Sequence, residues 1–227
     1  MHLNARYDIK NKLYVDAILQ PGRKENENRA LTDMIDRSKI KKKVIIMADR
    51  GYEAYNAFAH TEEKGAFDEE VNIIVTRKQT KSVKEKPELY KFVSKKGTFD
   101  FVDLHKNMFY PMTFRVVRFK ITEDTYQTLI TNLSPEEFSL QELKELYHMR
   151  WGIETSFREL KYGIGLTNFH VKKMVYIIRE VFARLVMYNF CLTVALSVTI
   201  KTKAPKHLYQ VNFTIAIQLC KKFMASF

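Results

Sequence analysis

The chain is poor in the residues that break or cross-link a fold. Its 227 residues include two cysteines, Cys191 and Cys220. Two are too few for a disulfide framework, and they lack metal-ligand spacing, so a disulfide-stapled scaffold and a cysteine zinc site are excluded and a reducing compartment is expected. Seven glycines and five prolines exclude collagen-like and low-complexity classes. The first twelve residues contain no continuous apolar core, which excludes a signal peptide there. The one long uncharged stretch, Leu185 to Ile200, falls short of the roughly 20 residues of a crossing helix. Asn189, Thr193, Ser197 and Thr199 interrupt it, so a buried core helix and no membrane partner are expected, with a membrane span as the alternative. Acidic residues are also scarce, 26 against 38 Lys and Arg, for a net charge of +12. That excess favours a polyanionic partner, nucleic acid or an acidic membrane surface.

What the chain has is a hydrophobic content of 46%, enough for a real core, with Phe, Tyr and β-branched residues along its whole length, which excludes disorder. Strands are predicted around Leu3–Tyr7 and Leu13–Leu19, joined by the turn Asp8-Ile9-Lys10-Asn11. A helix follows from about Glu25 to Arg37, with Ala30, Leu31, Met34 and Ile35 as its apolar stripe. Val44–Ala48 is short, apolar and followed by a turn, as in a strand buried on both faces. A second helix fits Tyr52 to His60 and a second buried strand Val71–Thr76. Phe99–Leu104, Met112–Ile121 and Tyr126–Thr131 read as strands, the last two joined as a hairpin through Thr122–Thr125. Beyond Ser134-Pro135 the chain reads as helical. The whole reads as an α/β fold in three segments: 1–78, a β-rich insertion over 79–134, and a helical part over 135–227.

Two places carry chemistry. Asp49 follows the apolar strand, where open α/β sheets place their sites; the alternative is an N-cap for the helix at Tyr52. Further on, Ser139 and Glu142 form a capping box for a helix starting at Leu140. At about 100° per residue along that helix, Tyr147, Arg150, Glu154, Arg158 and Lys161 share a stripe about 80° wide. Leu146, Ile153, Phe157, Leu160 and Ile164 would form the neighbouring buried stripe, and Glu159 would point to solvent. A carboxylate flanked by arginines suits a divalent cation with phosphate oxygens around it. Surface ion pairs at helical spacing are the plainer alternative.

The segment Tyr147-His148-Met149-Arg150-Trp151-Gly152-Ile153-Glu154, ending at Lys161, matches the pattern Y-(2)-R-(3)-E-(6)-K at all four positions. It resembles the DDE transposases of bacterial insertion sequences, specifically the insertion-sequence-four group. ADRGYEAYN at Ala48–Asn56 resembles that family's second catalytic motif, and HLNARYD the strand after its first. The resemblance implies a ribonuclease-H-like core carrying a β-rich insertion. It makes Asp49 and Glu154 catalytic and metal-binding carboxylates, with two Mg²⁺ ions as cofactors and Mn²⁺ as a substitute. It assigns Tyr147, Arg150 and Lys161 to the DNA backbone near the cut.

Arg158, the loop residues Arg77, Lys78 and Lys81, and the run Lys41-Lys42-Lys43 are candidates for further backbone contacts, and Trp151 can stack on a base. A solvated charged face and ordinary packing are the respective alternatives. Double-stranded DNA, as transposon ends and target, is the expected partner of a homodimer in the bacterial cytoplasm, at the nucleoid. The family's first aspartate, commonly in an Asp-Gly pair, has no counterpart here, and Asp16 reads as an ordinary polar strand position. The chain is therefore expected to start one strand late, and its end at Phe227 suggests loss there too. A non-catalytic DNA-binding remnant is the alternative function.

Overall fold

The computed structural model describes residues 1–40, 43–67, 71–76, 88–95, 110–123, 125–198 and 211–226. The chain forms two compact units, Met1–Asn4 with Gln20–Arg150 and Ala5–Leu19 with Trp151–Phe227. A two-stranded hairpin, β1 (His2–Asp8) and β2 (Leu13–Gln20), contributes its ends to the first unit and the rest to the second.

The first unit is a mixed α/β structure. Its helices α1 (Glu27–Asp36) and α2 (Tyr55–Phe67) accompany a five-stranded sheet. The strands are β3 (Val44–Ala48), β4 (Val71–Thr76), β5 (Glu88–Lys95), β6 (Tyr110–Lys120) and β7 (Tyr126–Thr131), in the order β3-β4-β7-β6-β5. β3 and β4 run parallel, Val44 opposite Val71, and the remaining pairs are antiparallel. Consecutive residues of β4 enter opposite clusters. Ile73 packs with Leu31, Ile35 and Phe58 of α1 and α2, whereas Ile74 packs with Leu143 and Tyr147. Successive side chains of a strand point to opposite faces, so the adjacent apolar pair Ile73-Ile74 serves both clusters.

One expectation changes here. β3, at the end of the strand order, is half-buried over Val44–Met47 instead of enclosed on both faces. The strands β6 and β7 continue the sheet of β3 and β4, because β7 pairs with β4. β5 is not among the strands predicted from sequence, and the run predicted at Phe99–Leu104 lies outside the described residues.

The helix α3 (Leu140–His148) starts as expected. The Ser139 side chain accepts the Glu142 amide while the Glu142 carboxylate accepts the Ser139 amide. α3 ends at His148, and Met149 and Arg150 form a tight turn with amides bonded to the carbonyls of Leu146 and Tyr147. The single helix expected through Lys161 is therefore two.

In the second unit, α4 (Trp151–Glu159) runs into a π-helical turn over Leu160–Ile164. Gly165 ends it at φ +90°, a backbone conformation that suits glycine. The helices α5 (Met174–Ser197) and α6 (Phe213–Met224) complete the unit. α5 is long and apolar enough, by length and composition, to cross a membrane. One face buries Val181, Leu185, Tyr188 and Leu192, while Phe182, Val186 and Phe190 are exposed. Tyr14 of β2 sits at the centre, with ring centroids 5.1 Å from both Tyr7 and Tyr188 in edge-on contact. Asn189 brackets Tyr14 by accepting its amide at 2.9 Å and donating to its carbonyl at 2.8 Å.

Two outcomes test this packing. Ser139→Ala removes the N-cap acceptor and should lower unfolding stability by about 1 kcal/mol in denaturant titration. Burial raises the pKa of Tyr7, Tyr14 and Tyr188. The folded chain thus keeps protons that the unfolded chain loses near about pH 10, so stability present below that pH is lost as the pH climbs beyond it. In an alkaline titration the tyrosinate absorbance of these residues should emerge together with loss of helical circular dichroism, and not before it.

Candidate functional site

Asp49 directly follows β3, past its carboxyl end, and is exposed. Its Oδ1 accepts the Arg50 amide at 2.7 Å, capping the short 3₁₀ turn Arg50–Tyr52. The capping alternative thus describes its local geometry, though for a 3₁₀ turn and not for α2. The turn is secured from within the first unit. Tyr52 donates to Asn4 Oδ1 at 2.8 Å, and Asn4 is fully buried. Burial, together with the negative charges of Glu27 and Asp49, pushes the Tyr52 hydroxyl up to about 12. Glu27, which the sequence did not single out, stands against this turn. A Cβ on Gly51 would lie 2.0 Å from its Oε2, and its Oε1 is 3.2 Å from His2 Nε2.

Tyr147 reaches the same place from α3. It is 2% exposed, and its hydroxyl donates to the carbonyl of Ala48 at 3.3 Å, one residue before Asp49. The surface position expected for Tyr147 is not observed, because Tyr147 and Leu143, four residues apart on α3, are the pair that this helix buries against the sheet. The Arg150 guanidinium lies 5.4 Å from the Tyr147 ring centroid, within cation–π range.

Glu154 belongs to the second unit and lies in the first turn of α4. The break at Met149–Arg150 gives it a helix N-terminus of its own, where aligned backbone dipoles favour an anionic side chain. Glu154, Arg158 and Lys161 are exposed, and so is Trp151, at 54%. Tyr162, at 82%, extends this exposed aromatic and cationic surface and was not anticipated. Glu159 departs from expectation. It is half-buried and accepts the Tyr188 hydroxyl at 2.8 Å, because the Tyr188 side chain of α5 faces it. Arg77, Lys78, Lys81, Lys41 and Lys42 lie outside the described residues. Lys43 forms an exposed ion pair with Glu137 at 3.2 Å.

The donor chemistry of Asp49 and Glu154, hard carboxylate oxygens, suits Mg²⁺ or Mn²⁺. The number of donors does not match a two-cation site, which takes about three carboxylates. No group of three or more His, Cys, Asp or Glu side chains among the described residues could hold a metal ion. Asp16 turns one carboxylate oxygen to its neighbour, accepting the Ala17 amide at 2.7 Å.

Tyr147→Phe should leave the Ala48 carbonyl without its donor and cost about 1 kcal/mol in unfolding experiments. Tyr147→Ala, which also empties the ring's place in the core, should cost about 3–5 kcal/mol.

No curated protein matches the chain. A family model described as Transposase DDE domain matches residues 1–190. That span takes in β3, the turn at Asp49 and the whole segment from Tyr147 to Lys161. The chain belongs to the transposase DDE domain family.

Proposed function

We propose that the chain acts in DNA transposition as a catalytic domain of the insertion-sequence-four group, cutting DNA at transposon ends and joining the freed 3′ hydroxyl to target DNA. Family membership implies DNA as the partner. The observation that carries the finer reading is the fourfold match of Tyr147, Arg150, Glu154 and Lys161 to the group's pattern. In this reading the sheet of the first unit belongs to a ribonuclease-H-like core, and the working assembly on DNA is a homodimer.

Asp49 and Glu154 are the two carboxylates of this chain that would hold Mg²⁺, with Mn²⁺ as a substitute. The bound cations would supply activation of the attacking oxygen and stabilisation of the leaving one. The other roles fall to cationic and aromatic side chains. Arg150 and Arg158 present planar forks to phosphate oxygens, and Lys161 a point charge. Trp151 offers a base-stacking surface, and Arg77, Lys78 and Lys81 follow the backbone. Tyr147, buried against Ala48, contributes by bracing the strand that leads into Asp49 and not as a nucleophile.

The test is a nicking assay on transposon-end duplex in Mg²⁺, run beside a binding assay at several salt concentrations. Asp49→Asn and Glu154→Gln should each slow nicking by at least about 100-fold, equivalent to about 2.7 kcal/mol of barrier, without weakening binding. Arg158→Ala and Lys161→Ala should weaken binding uniformly across sequences and each reduce the salt slope by about one. Salt-dependent binding without cleavage would instead mark a non-catalytic DNA-binding module. Absence of DNA binding would contradict both readings.

A further inference from the structure

The helix α4 is short, and its outward face bears Glu154, Arg158 and Trp151, all exposed. A nine-residue helix has little intrinsic stability, so its rotation and pitch are set by what holds its inward face. Within the second unit that face is held by hydroxyl groups whose hydrogen-bond directions can be assigned.

Ser156 is 1% exposed. Its hydroxyl donates to the carbonyl of Ile153, the residue before Glu154, at 2.7 Å. Its single proton is thereby used, so in the 2.7 Å contact with Tyr14 the tyrosine hydroxyl is the donor and Ser156 the acceptor. Glu159, three residues on, is held in a similar way. Tyr188, also 1% exposed, spends its proton on Glu159 at 2.8 Å. In its 3.4 Å contact with Tyr7, the Tyr7 hydroxyl therefore donates. Two one-way chains result, Tyr14 to Ser156 to the Ile153 carbonyl, and Tyr7 to Tyr188 to the Glu159 carboxylate. They start on β1 and β2 and end on α4. Every hydroxyl proton in them points towards the helix.

We propose that Tyr14 and Tyr188 are positioning residues for Glu154, and that these two hydroxyl chains fix the rotation of α4. Ser156 and Glu159 are three residues apart and so lie on one side of the helix, whereas Glu154 and Ser156 are about 200° apart at 3.6 residues per turn. Holding Ser156 inward holds Glu154 outward. A ring without its hydroxyl would keep the aromatic packing of Tyr14 on Tyr188 and Phe157 but would release the helix to roll. That separates a positioning role from a packing role.

The inference rests on the reading of Glu154 as a catalytic carboxylate, and the test keeps the two apart. Amide hydrogen exchange over residues 153–157 in the full chain is measured first, because it needs no activity. Tyr188→Phe and Tyr14→Phe should each speed exchange there at least about tenfold while leaving β4 and β7 of the first unit unchanged. Glu159→Gln, which keeps an oxygen acceptor for Tyr188, should behave like the parent protein. Leu185→Ala is the packing control on α5 and should loosen α5 more than residues 153–157. In the nicking assay, Tyr188→Phe should lower the single-turnover rate about tenfold or more at saturating DNA, with the dissociation constant changed less than about twofold, as a displaced catalytic group does. Exchange at 153–157 that stays at the parent rate in both Phe variants would overturn the inference. So would a Glu159→Gln variant that loosens the helix as much as Tyr188→Phe. Faster exchange without any nicking by the parent chain would uphold the positioning role of Tyr14 and Tyr188 on α4 and reject the catalytic reading of Glu154.

Discussion

The hydrogen bond from Tyr188 to Glu159 is the contact on which the second unit depends most. A carboxylate drawn partly out of water needs a donor, and a buried phenol needs an acceptor. Here each meets the other at 2.8 Å. The pair joins the long apolar helix α5 to the short polar helix α4, two elements whose apolar faces alone would specify no rotation. Around it the rings of Tyr7, Tyr14, Phe157 and Phe213 pack edge-on or tilted. That arrangement buries aromatic area and leaves each hydroxyl directed to a partner. Lys221 of α6 donates to the carbonyls of Gly163 and Ile164, at the end of the π turn. Arg184 of α5 donates to the carbonyls of Gly165 and Asn168 and to the carboxylate of Glu180. The stretch from Glu159 to Asn168 is thus held by polar side chains reaching out of the helices beside it.

The first unit uses the same device. Tyr147 is a core residue of α3 with a single polar atom, and that atom meets the Ala48 carbonyl. Because Ala48 precedes Asp49, a tyrosine that matches a functional pattern also supports the backbone on which the aspartate stands. Asn4 plays a comparable part, buried and accepting from Tyr52 in the turn after Asp49. Precision at an exposed carboxylate is in this way supplied by buried polar groups that do not face solvent.

Much of this was legible in the chain. Val44–Ala48, Val71–Thr76 and Tyr126–Thr131 were predicted with the limits they have, because short runs rich in β-branched and aromatic residues, bounded by polar turns, leave little choice. The capping box at Ser139 and the buried stripe of Ala30, Leu31, Met34 and Ile35 were readable for the same local reason. What escaped was decided by tertiary contacts. β5 has lysines inside and at its end, and is a strand because β6 pairs with it. Helical periodicity carries straight through Met149–Arg150, so it concealed the break, and with the break the burial of Tyr147. Glu159 looked solvent-facing because its partner, Tyr188, lies 29 residues away on another helix. Asp49 and Glu154 were legible as candidate residues through strand-end position and motif spacing, but the side chains that hold their surroundings were not, since a hydroxyl's partner leaves no periodic trace.

The charge excess acquires a reading from the same details. Arg158, on the helix of Glu154, and Lys161, in the turn after it, are exposed and available to the DNA backbone in the function proposed, while Arg184 is spent on holding the loop after Gly165. The central physical claim is that buried hydrogen bonds, above all Tyr188 to Glu159, hold the helix bearing Glu154. It is tested most directly by a double-mutant cycle in unfolding free energy using Tyr188→Phe, Glu159→Leu and the double variant. The account predicts a coupling of about 1–3 kcal/mol, as for a buried hydrogen bond to a charged group. Additive losses, with a coupling near zero, would contradict it.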